Sequence, residues 1–216
     1  MRKPIAELAA KNGFVFYQYA ENGWQNFATK SGFIKTPADL KGKKFRSQET
    51  PVHIAMWKGF GAAPVEMSVS EVLPALQTGL VEGFAQTPLF TFATGWHQGI
   101  KFYTLSRHIY QPAIVVYSKK WFDGLAADLQ KQLLVEIEAT EKFARQGVRG
   151  IEPGLLQNFV NYGIQVHTPT ADERAQFVKL AKKVQDDYAK RASKASKELL
   201  AKIREGKAAF AAQAKK

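Results

Sequence analysis

The chain has 216 residues, of which 45% are hydrophobic and 23% are charged. These proportions are typical of a folded globular protein, and they exclude a wholly disordered chain. Lysine and arginine number 31 against 19 acidic residues, a net charge of +12, and the absence of cysteine excludes disulfides, thiolate metal sites and cysteine nucleophiles. No apolar run approaches the roughly 18 to 20 residues that span a bilayer.

The N-terminal half is predicted to alternate short strands with helices. Aromatic and β-branched runs favour strands, whereas helical apolar spacing between capping residues favours helices. We expect strands at 14–19, 24–28, 43–46, 65–67 and 80–86, with a turn at 21–23 between the first two. We expect helices at 4–12, 51–60 and 70–79. Ser68 and Glu71 form a capping box that introduces the last of these helices.

The C-terminal half continues the alternation with longer helices. The run PAIVVYS at 112–118 is almost entirely apolar, which predicts a strand buried on both faces. Helical spacing extends over 126–149, which is longer than an average helix. The other expected elements are helices at 88–99 and 155–162, strands at 101–105 and 164–167, and two C-terminal helices. Strands that alternate with helices indicate an α/β class with largely parallel pairing.

The excess of positive charge is concentrated near the C-terminus. Residues 182–216 contain eleven lysines and arginines against four acidic residues. Leu199, Ile203 and Phe210 share one helical stripe, so we expect them, with Leu200, to face the protein body while the basic side chains are solvated. An anionic partner is the alternative. This segment lacks the interleaved aromatic residues of nucleic-acid-binding surfaces, and we expect no nucleic-acid partner.

Residue types that carry catalysis or bind metals do not cluster along the chain. The four histidines are scattered, and none lies in a nucleophile–base frame or at metal-ligand spacing. The glycines form neither a dinucleotide-binding fingerprint nor a P-loop. We therefore expect no catalytic residue, no metal and no cofactor, and ligand binding is favoured over enzymatic activity.

Two polar residues stand at the ends of predicted strands. Arg46 ends a basic strand, at the edge where open α/β sheets bind ligands. Its planar guanidinium can hold a carboxylate with two parallel hydrogen bonds. Gln86 ends the strand that follows the capped helix. A salt bridge from Arg46 to Glu49 or Glu71 is the competing interpretation.

Three ordered segments resemble one protein family. They are TPADLKGKKFR, GFGAAPVEMSVSEVLPALQTGLVEGF and YSKKWFDGLAADLQKQL, and the likeness covers nearly all of residues 11–190. The segments are similar to those of the solute receptors of tripartite ATP-independent periplasmic (TRAP) transporters, the DctP or C4-dicarboxylate-binding family. The resemblance implies a two-lobed, class II-like periplasmic-binding-protein fold. In that fold two α/β lobes close over an organic acid, and one long helix spans both lobes.

The resemblance also implies roles for individual residues. In the family, an arginine binds the carboxylate of the ligand, and the motif implies that this arginine corresponds to Arg46. A second polar residue that contacts the ligand, usually Asn, corresponds to Gln86. The Thr87 hydroxyl is expected to bind the ligand beside Gln86. The other expected ligand neighbours are Trp24, Gln25, Asn26, Val69 and Phe84. The apolar residues of this set would exclude water from the ligand. Gln25 and Asn26 lie near a position at which some family members have another arginine.

The chain is expected to hold lobe two completely and lobe one only in part. The expected divisions are a remnant of lobe one at 1–23, lobe two at 24–112, a returning strand and spanning helix at 113–150, and a segment closing both lobes at 151–216. Chains of the family normally begin further upstream, and Met1 to Pro4 do not lead into a signal-peptide core. If part of lobe one is missing, the apolar strands at 14–19 and 112–118 should expose unusual apolar surface, or a homodimer should bury that surface.

The sequence therefore predicts an extracytoplasmic TRAP receptor in the periplasm. It would bind an organic acid through its carboxylate and deliver it to the membrane permease subunits. The alternatives are a stand-alone ligand-sensing domain and a basic protein that binds nucleic acid or a membrane surface. Because Gln86 replaces Asn and no arginine lies near Asn26, the identity of the ligand stays open.

Overall fold

The computed structural model describes residues 2–213, so Lys215 and Lys216 of the predicted C-terminal basic helix lie outside the described residues. Its strands are β1 (Phe14–Thr29), β2 (Lys44–Ser47), β3 (Ala63–Glu66), β4 (Gly83–Gln86), β5 (Phe102–Ser118) and β6 (Gln165–His167). Its α-helices are α1 (Arg2–Lys11), α2 (Pro51–Gly59), α3 (Val72–Thr78), α4 (Pro88–Ala93), α5 (Lys119–Asp123), α6 (Ala127–Leu133), α7 (Ile137–Asn161), α8 (Ala171–Arg191) and α9 (Lys194–Gln213). Short 3₁₀ helices cover Pro37–Leu40, Val69–Glu71 and Trp96–Gly99.

The six strands form one mixed sheet in the order β3-β2-β4-β1-β5-β6. Strand β2 is parallel to both β3 and β4, and β5 is parallel to β6. Strand β4 is antiparallel to β1, so the expected α/β class is confirmed but the sheet is not purely parallel. Because β2 and β4 are parallel neighbours, their carboxyl ends meet at the same edge of the sheet.

The two long strands differ from the predicted pairs of short strands. Strand β1 continues through the expected turn at 21–23, and β5 continues from 102 to 118 without a break. Both strands lie inside the sheet, where their backbones pair with neighbours on each side. That pairing outweighs the local turn signal. Gly23, with φ of 101°, adopts a conformation that other residues rarely take.

The helices after β5 also differ from the prediction. The single helix expected over 126–149 is interrupted between α6 and α7, at Glu136, whose φ is 51°. Helix α7 then runs through Pro153 and absorbs the separate helix expected at 155–162. A proline inside a helix removes one backbone hydrogen bond, and the remaining turns of this 25-residue helix tolerate that loss.

The chain divides into two compact units. The first unit comprises residues 1–18, 114–138 and 185–216, and the second comprises 19–113 and 139–184. The segment predicted as lobe two, 24–112, falls inside the second unit. Strands β1 and β5 and helices α7 and α8 contribute residues to both units.

The core of the second unit lies on both faces of its sheet. One face, here called the Trp96 face, buries Ala28, Phe84, Trp96 and Tyr103. The opposite face, here called the Trp57 face, buries Phe27, Phe45, Trp57, Ala85 and Phe177. The strand residues divide in this way because successive side chains of a strand point to opposite faces. Each face is covered by helices, which makes the sheet a buried central layer.

Gly83 marks the closest approach between strands of this sheet. A Cβ atom added there would lie 2.1 Å from the Ala28 carbonyl oxygen and 3.0 Å from a ring carbon of Phe45. Both neighbours are buried, so neither can move aside easily. Only glycine fits between β1 and β2 at this position.

The first unit exposes apolar strand residues. Phe14 is 45% exposed, Ile114 46% and Val115 38%. The expectation that 112–118 is buried on both faces is therefore wrong, because too few helices cover the strand. These strands do expose apolar side chains, as expected, while their burial in a homodimer stays a prediction.

Helix α9 begins beside α1 and ends in solvent. Its first turns line a small cavity with α1, to which Leu8 and Leu199 both contribute. Residues 201–213 are all exposed, with Ile203 at 47% and Phe210 at 74%. The prediction that Ile203 and Phe210 face the protein body is wrong, since both are exposed and α9 meets α8 in this region through the Arg204–Asp186 ion pair at 3.2 Å and not through an apolar face. Within residues 2–213, no helix is both long and apolar enough to cross a membrane.

Candidate ligand-binding site

Arg46 lies near the carboxyl end of β2 and is only 4% exposed. Its Nε and Nη2 atoms both donate to the carbonyl oxygen of Met67, each over 3.3 Å. The guanidinium carbon lies 5.3 Å from the centre of the Trp96 ring, which places the cation over an aromatic face. Nη1 is buried and has no hydrogen-bond partner in the described chain.

The charge of Arg46 is not balanced by a direct salt bridge. No carboxylate of residues 2–213 lies within 4.0 Å of its guanidinium, so the competing interpretation of a pair with Glu49 or Glu71 is wrong. Glu71 instead accepts hydrogen bonds from the Ser68 backbone N–H and hydroxyl at 2.7 and 2.6 Å. Burial lowers the pKa of Arg46, and the more distant charge of Glu49 opposes this effect.

Gln86 and Asn26 lie opposite each other on the antiparallel strands β4 and β1. The Tyr103 hydroxyl donates to the Gln86 carbonyl oxygen over 2.8 Å and accepts from Asn26 Nδ2 at 3.4 Å. The Gln86 side-chain oxygen accepts from the Thr87 backbone N–H at 2.8 Å. Hydrogen bonds therefore fix both the backbone and the side chain of Gln86.

The register of the sheet brings Arg46 and Gln86 to one face. Phe45 is paired with Gly83, so Arg46 on β2 is level with Phe84 on β4. Gln86 is two residues beyond Phe84, and side chains alternate between faces. Arg46, Gln86 and Asn26 thus all lie on the Trp96 face, close to the carboxyl ends of β2 and β4. The structure places these three residues on one face of the sheet, while ligand contact stays a prediction.

Asn26 is already engaged by the protein. Its Nδ2 atom donates to the Trp24 carbonyl oxygen at 3.0 Å, and its Oδ1 atom accepts from the Arg107 backbone N–H at 3.0 Å. With the contact to Tyr103, both ends of the amide have partners inside the chain. Asn26 therefore positions β1 against β5.

Gln25 and Thr87 occupy different surroundings. Gln25 precedes Asn26, points to the Trp57 face and donates to Gln111 Oε1 at 2.9 Å. The Thr87 hydroxyl accepts from the Phe90 N–H at 3.2 Å, which caps α4, and lies 3.3 Å from Asn22 Oδ1. The Thr87 hydroxyl therefore has both a donor and an acceptor as partners within the second unit.

The three apolar candidates separate into buried and accessible side chains. Phe84 is fully buried, with its ring centre 4.9 Å from that of Trp96. It supports the ring over which Arg46 lies. Trp24 is 37% exposed and Val69 is 46% exposed, so both keep apolar surface that a ligand can cover.

Polar groups on the Trp57 face do not follow from the sequence pattern. His53 in α2 and His108 in β5 were interpreted as isolated histidines, because they are far apart in the chain. His53 is buried beside Trp57 and His108 is half-buried against Phe27, and each ring has one buried nitrogen without a partner in the described chain. No local sequence motif predicts that His53 and His108 lie near Phe27 and Trp57. Their positions depend on the pairing of β1 with β5 and on the packing of α2.

Solved structures of TRAP periplasmic solute-binding proteins share this fold. A Citrobacter koseri protein with bound D-glucuronate is 31% identical with a TM-score of 0.78, and the match covers 88% of this chain and 62% of that one. A Sulfitobacter sp. NAS-14.1 protein with bound β-D-galacturonate is 22% identical with a TM-score of 0.84, covering 91% of this chain and 64% of that one. The fold class predicted from the sequence is confirmed.

Two curated relatives match most of the chain. The 2,3-diketo-L-gulonate-binding periplasmic protein of Escherichia coli K12 is 31% identical over 86% of this chain. The C4-dicarboxylate-binding periplasmic protein of Rhodobacter capsulatus is 30% identical over 87% of this chain. Each match covers 56% of the relative, so the chain spans about half the length of these relatives.

The family consists of transport receptors and not of enzymes, and its proteins are periplasmic. The sequence model of the DctP family, described as bacterial extracellular solute-binding protein, family 7, matches residues 1–192. With the shared fold and the two relatives, this match shows that the chain belongs to the DctP family of solute-binding proteins.

Proposed function

We propose that the chain acts as the solute receptor of a TRAP transporter and binds an organic acid through its carboxylate. The observation that carries the proposal is the state of Arg46. It is a buried guanidinium with no carboxylate partner in the described chain and an unsatisfied Nη1 atom. Leaving such a charge uncompensated costs stability, and a ligand carboxylate would offset that cost with a charge-assisted hydrogen bond.

The neighbouring residues support this role. Gln86 lies on the same face as Arg46, near the end of β4, and offers a neutral amide there. Trp24 and Val69 keep exposed apolar surface that would exclude water from the bound acid. Asn26 and Tyr103 would hold Gln86 in place, and Thr87 would fix the start of α4.

Several solved structures that share this fold are described with bound acids. They include proteins solved with D-glucuronate, β-D-galacturonate, succinate and pyroglutamic acid. All four molecules carry a carboxylate, which is the one group that Arg46 is suited to recognise. We infer a small organic acid as the ligand, delivery to the membrane permease subunits, and a periplasmic location.

Titration of the purified 216-residue chain tests the proposal. Tryptophan fluorescence and calorimetry would be followed with D-glucuronate, D-galacturonate, succinate and pyroglutamate. We expect saturable binding of at least one acid, and a fluorescence change that Trp24→Phe reduces because Trp24 lies at the accessible edge of the site. The chain should not bind the corresponding primary alcohol or amide. Binding of none of these acids would contradict the proposed function.

A further inference from the structure

Helix α9 is packed at its start and exposed over the rest of its length. Leu199 lines the cavity that α9 shares with α1, and it is half-buried. Every residue from 201 to 213 is exposed, and the exposed fraction of Phe210 reaches 74%. The match to the family model ends at residue 192, so the properties of α9 do not follow from that match.

The exposed turns continue the apolar stripe that begins against α1. Because an α-helix turns by about 100° per residue, Ile203 and Phe210 lie about 40° and 20° from Leu199 around the helix axis. Gly206 lies on the same stripe, so no charged side chain interrupts it. Ile203 is 47% exposed. The stripe therefore presents two large apolar side chains to solvent.

Two lysines border this stripe on opposite sides. Lys202 lies about 80° to one side of Phe210 around the helix axis, and Lys207 lies about 60° to the other side. Neither lysine forms an ion pair with another residue of 2–213. Lys215 and Lys216 add two positive charges later in the sequence. The surface is thus apolar along its centre and basic along both sides.

The neighbouring helix α8 does not cover this surface. Arg204 pairs with Asp186 of α8 at 3.2 Å. Because Arg204 lies about 120° from Phe210 around the helix axis, this ion pair is made from a different side of α9. The apolar stripe and its two lysines therefore stay open to a partner outside the described chain.

A bilayer that contains anionic phospholipid fits this surface. Phenylalanine and isoleucine side chains enter the boundary between headgroups and acyl chains, while bordering lysines reach the phosphate oxygens through their long apolar stems. Nucleic acid would contact the lysines but leave the apolar stripe in water, and Phe210 is the one aromatic residue of α9 that could stack on a base. A symmetric contact with a second copy would bring the lysines of both copies together, and like charges repel.

We propose that the exposed turns of α9 form a peripheral membrane-binding helix, which lies in the interface of an anionic bilayer with Ile203 and Phe210 turned toward the acyl chains. Binding is reversible, because two large apolar side chains and a few lysines supply only modest affinity. This interaction is independent of the proposed function, since it uses neither Arg46 nor a bound acid, and it would stand if no organic acid bound.

Co-sedimentation of the full 216-residue chain with lipid vesicles tests the inference. Vesicles of phosphatidylcholine alone are compared with vesicles in which about one third of the lipid is phosphatidylglycerol. We expect the chain to bind the anionic vesicles at least about fivefold more tightly, with an affinity that falls as the salt concentration rises. Failure to bind the anionic vesicles, or equal binding to both kinds, would overturn the inference.

Variants then separate α9 from the general positive charge of the chain. Phe210→Ser and Lys207→Glu should each weaken binding to the anionic vesicles by about fivefold or more. The matched controls lie on α7, where Phe143 is 77% exposed and Lys142 is also exposed. Phe143→Ser removes an equally exposed phenylalanine, and Lys142→Glu makes the same change in net charge. Both should keep the vesicle affinity within about twofold of the parent. Equal losses in the α7 variants would overturn the inference.

Other partners give different results in the same variants. Circular dichroism and the melting temperature verify that each variant is folded. Removal of residues 206–216 supplies a second test, because it deletes Phe210 together with three lysines and should abolish binding to the anionic vesicles. Retained vesicle binding in this truncation would overturn the inference. A dimer in light scattering that Phe210→Ser dissociates, or tight binding of duplex DNA at physiological salt that Phe210→Ser leaves unchanged, would assign the surface to that partner and also overturn it.

Discussion

Asn26 and Gln86 face each other across the antiparallel strands β1 and β4, and the hydroxyl of Tyr103 is hydrogen-bonded to both residues. The hydroxyl donates to a backbone carbonyl of one strand and accepts from a side-chain amide of the other. It therefore fixes the amide of Asn26 and the end of β4 at the point where Gln86 meets the candidate site.

Tyr103→Phe is expected to lower the free energy of unfolding by about 1 to 2 kcal/mol. Tyr103 is fully buried, so removal of its hydroxyl takes the 2.8 Å donor from the Gln86 carbonyl oxygen and one of the two acceptors from Asn26 Nδ2. Tyr162→Phe is the control, because Tyr162 is 61% exposed and should change stability by less than about 0.5 kcal/mol. Urea unfolding measures both variants, and equal small effects would show that the Tyr103 hydroxyl does not stabilise the strand pair.

Arg46→Lys is expected to weaken binding of organic acids by about 10- to 100-fold. An ammonium group cannot hold the Met67 carbonyl oxygen and a carboxylate with the geometry of the guanidinium. Arg107→Lys is a matched control, since the Arg107 side chain is half exposed and is paired with Glu152. Calorimetry with the tightest-binding acid compares the two, and similar affinities for parent and Arg46→Lys would argue against carboxylate binding by Arg46.

Stability is expected to fall as the pH drops from about 6.5 towards 3. His53 and His108 have native pKa values of about 4 and about 3, below the ordinary value of a histidine. The unfolded chain takes up protons in this range while the native chain does not. Each histidine therefore contributes a loss of up to about 1.4 kcal/mol per pH unit, and full stability is retained above pH 6.5.

Urea unfolding at pH 7.5, 6.5, 5.5 and 4.5 measures this dependence. His53→Phe should reduce the slope of the unfolding free energy against pH by the amount that one histidine contributes. In this variant no histidine at position 53 takes up a proton on unfolding. A slope identical to that of the parent would mean that His53 is protonated equally well in both states.

Removal of residues 206–216 is expected to leave stability within about 0.5 kcal/mol of the parent and carboxylate affinity unchanged. The last turns of α9 are exposed throughout residues 201–213 and contribute no core residue. Deletion of 195–216 is the contrasting variant, since it also removes Leu199 from beside α1 and should destabilise the first unit. A large loss of stability in the shorter truncation would show that Phe210 packs in solution.

The site could be predicted in part because two of its features follow from local sequence. The basic strand before Arg46 and the strand before Gln86 were recognisable from residue type, and their parallel pairing places both strand ends at one edge. The resemblance to TRAP receptors added Asn26, which the strand register then brought opposite Gln86. The meeting of His53, Phe27 and His108 around Trp57 could not be predicted, because these residues come from α2, β1 and β5 and approach one another only through tertiary packing.

Errors in the fold had two physical causes. The turn expected at 21–23 and the break expected between 105 and 112 were real local preferences that pairing within the sheet overrode. The stripe of Leu199, Ile203 and Phe210 was a correct amphipathic pattern, yet a pattern does not show whether another element lies beside it. Sequence periodicity predicts which side chains share a face and cannot show what covers that face.

The tight packing at Gly83 restricts how this protein can diverge. Any side chain at this position would collide with the Ala28 carbonyl oxygen and push apart the strands that carry Asn26, Arg46 and Gln86. Substitution there would therefore be eliminated for structural reasons whatever the ligand. Among homologues, we expect this glycine to be retained even where the bound molecule differs.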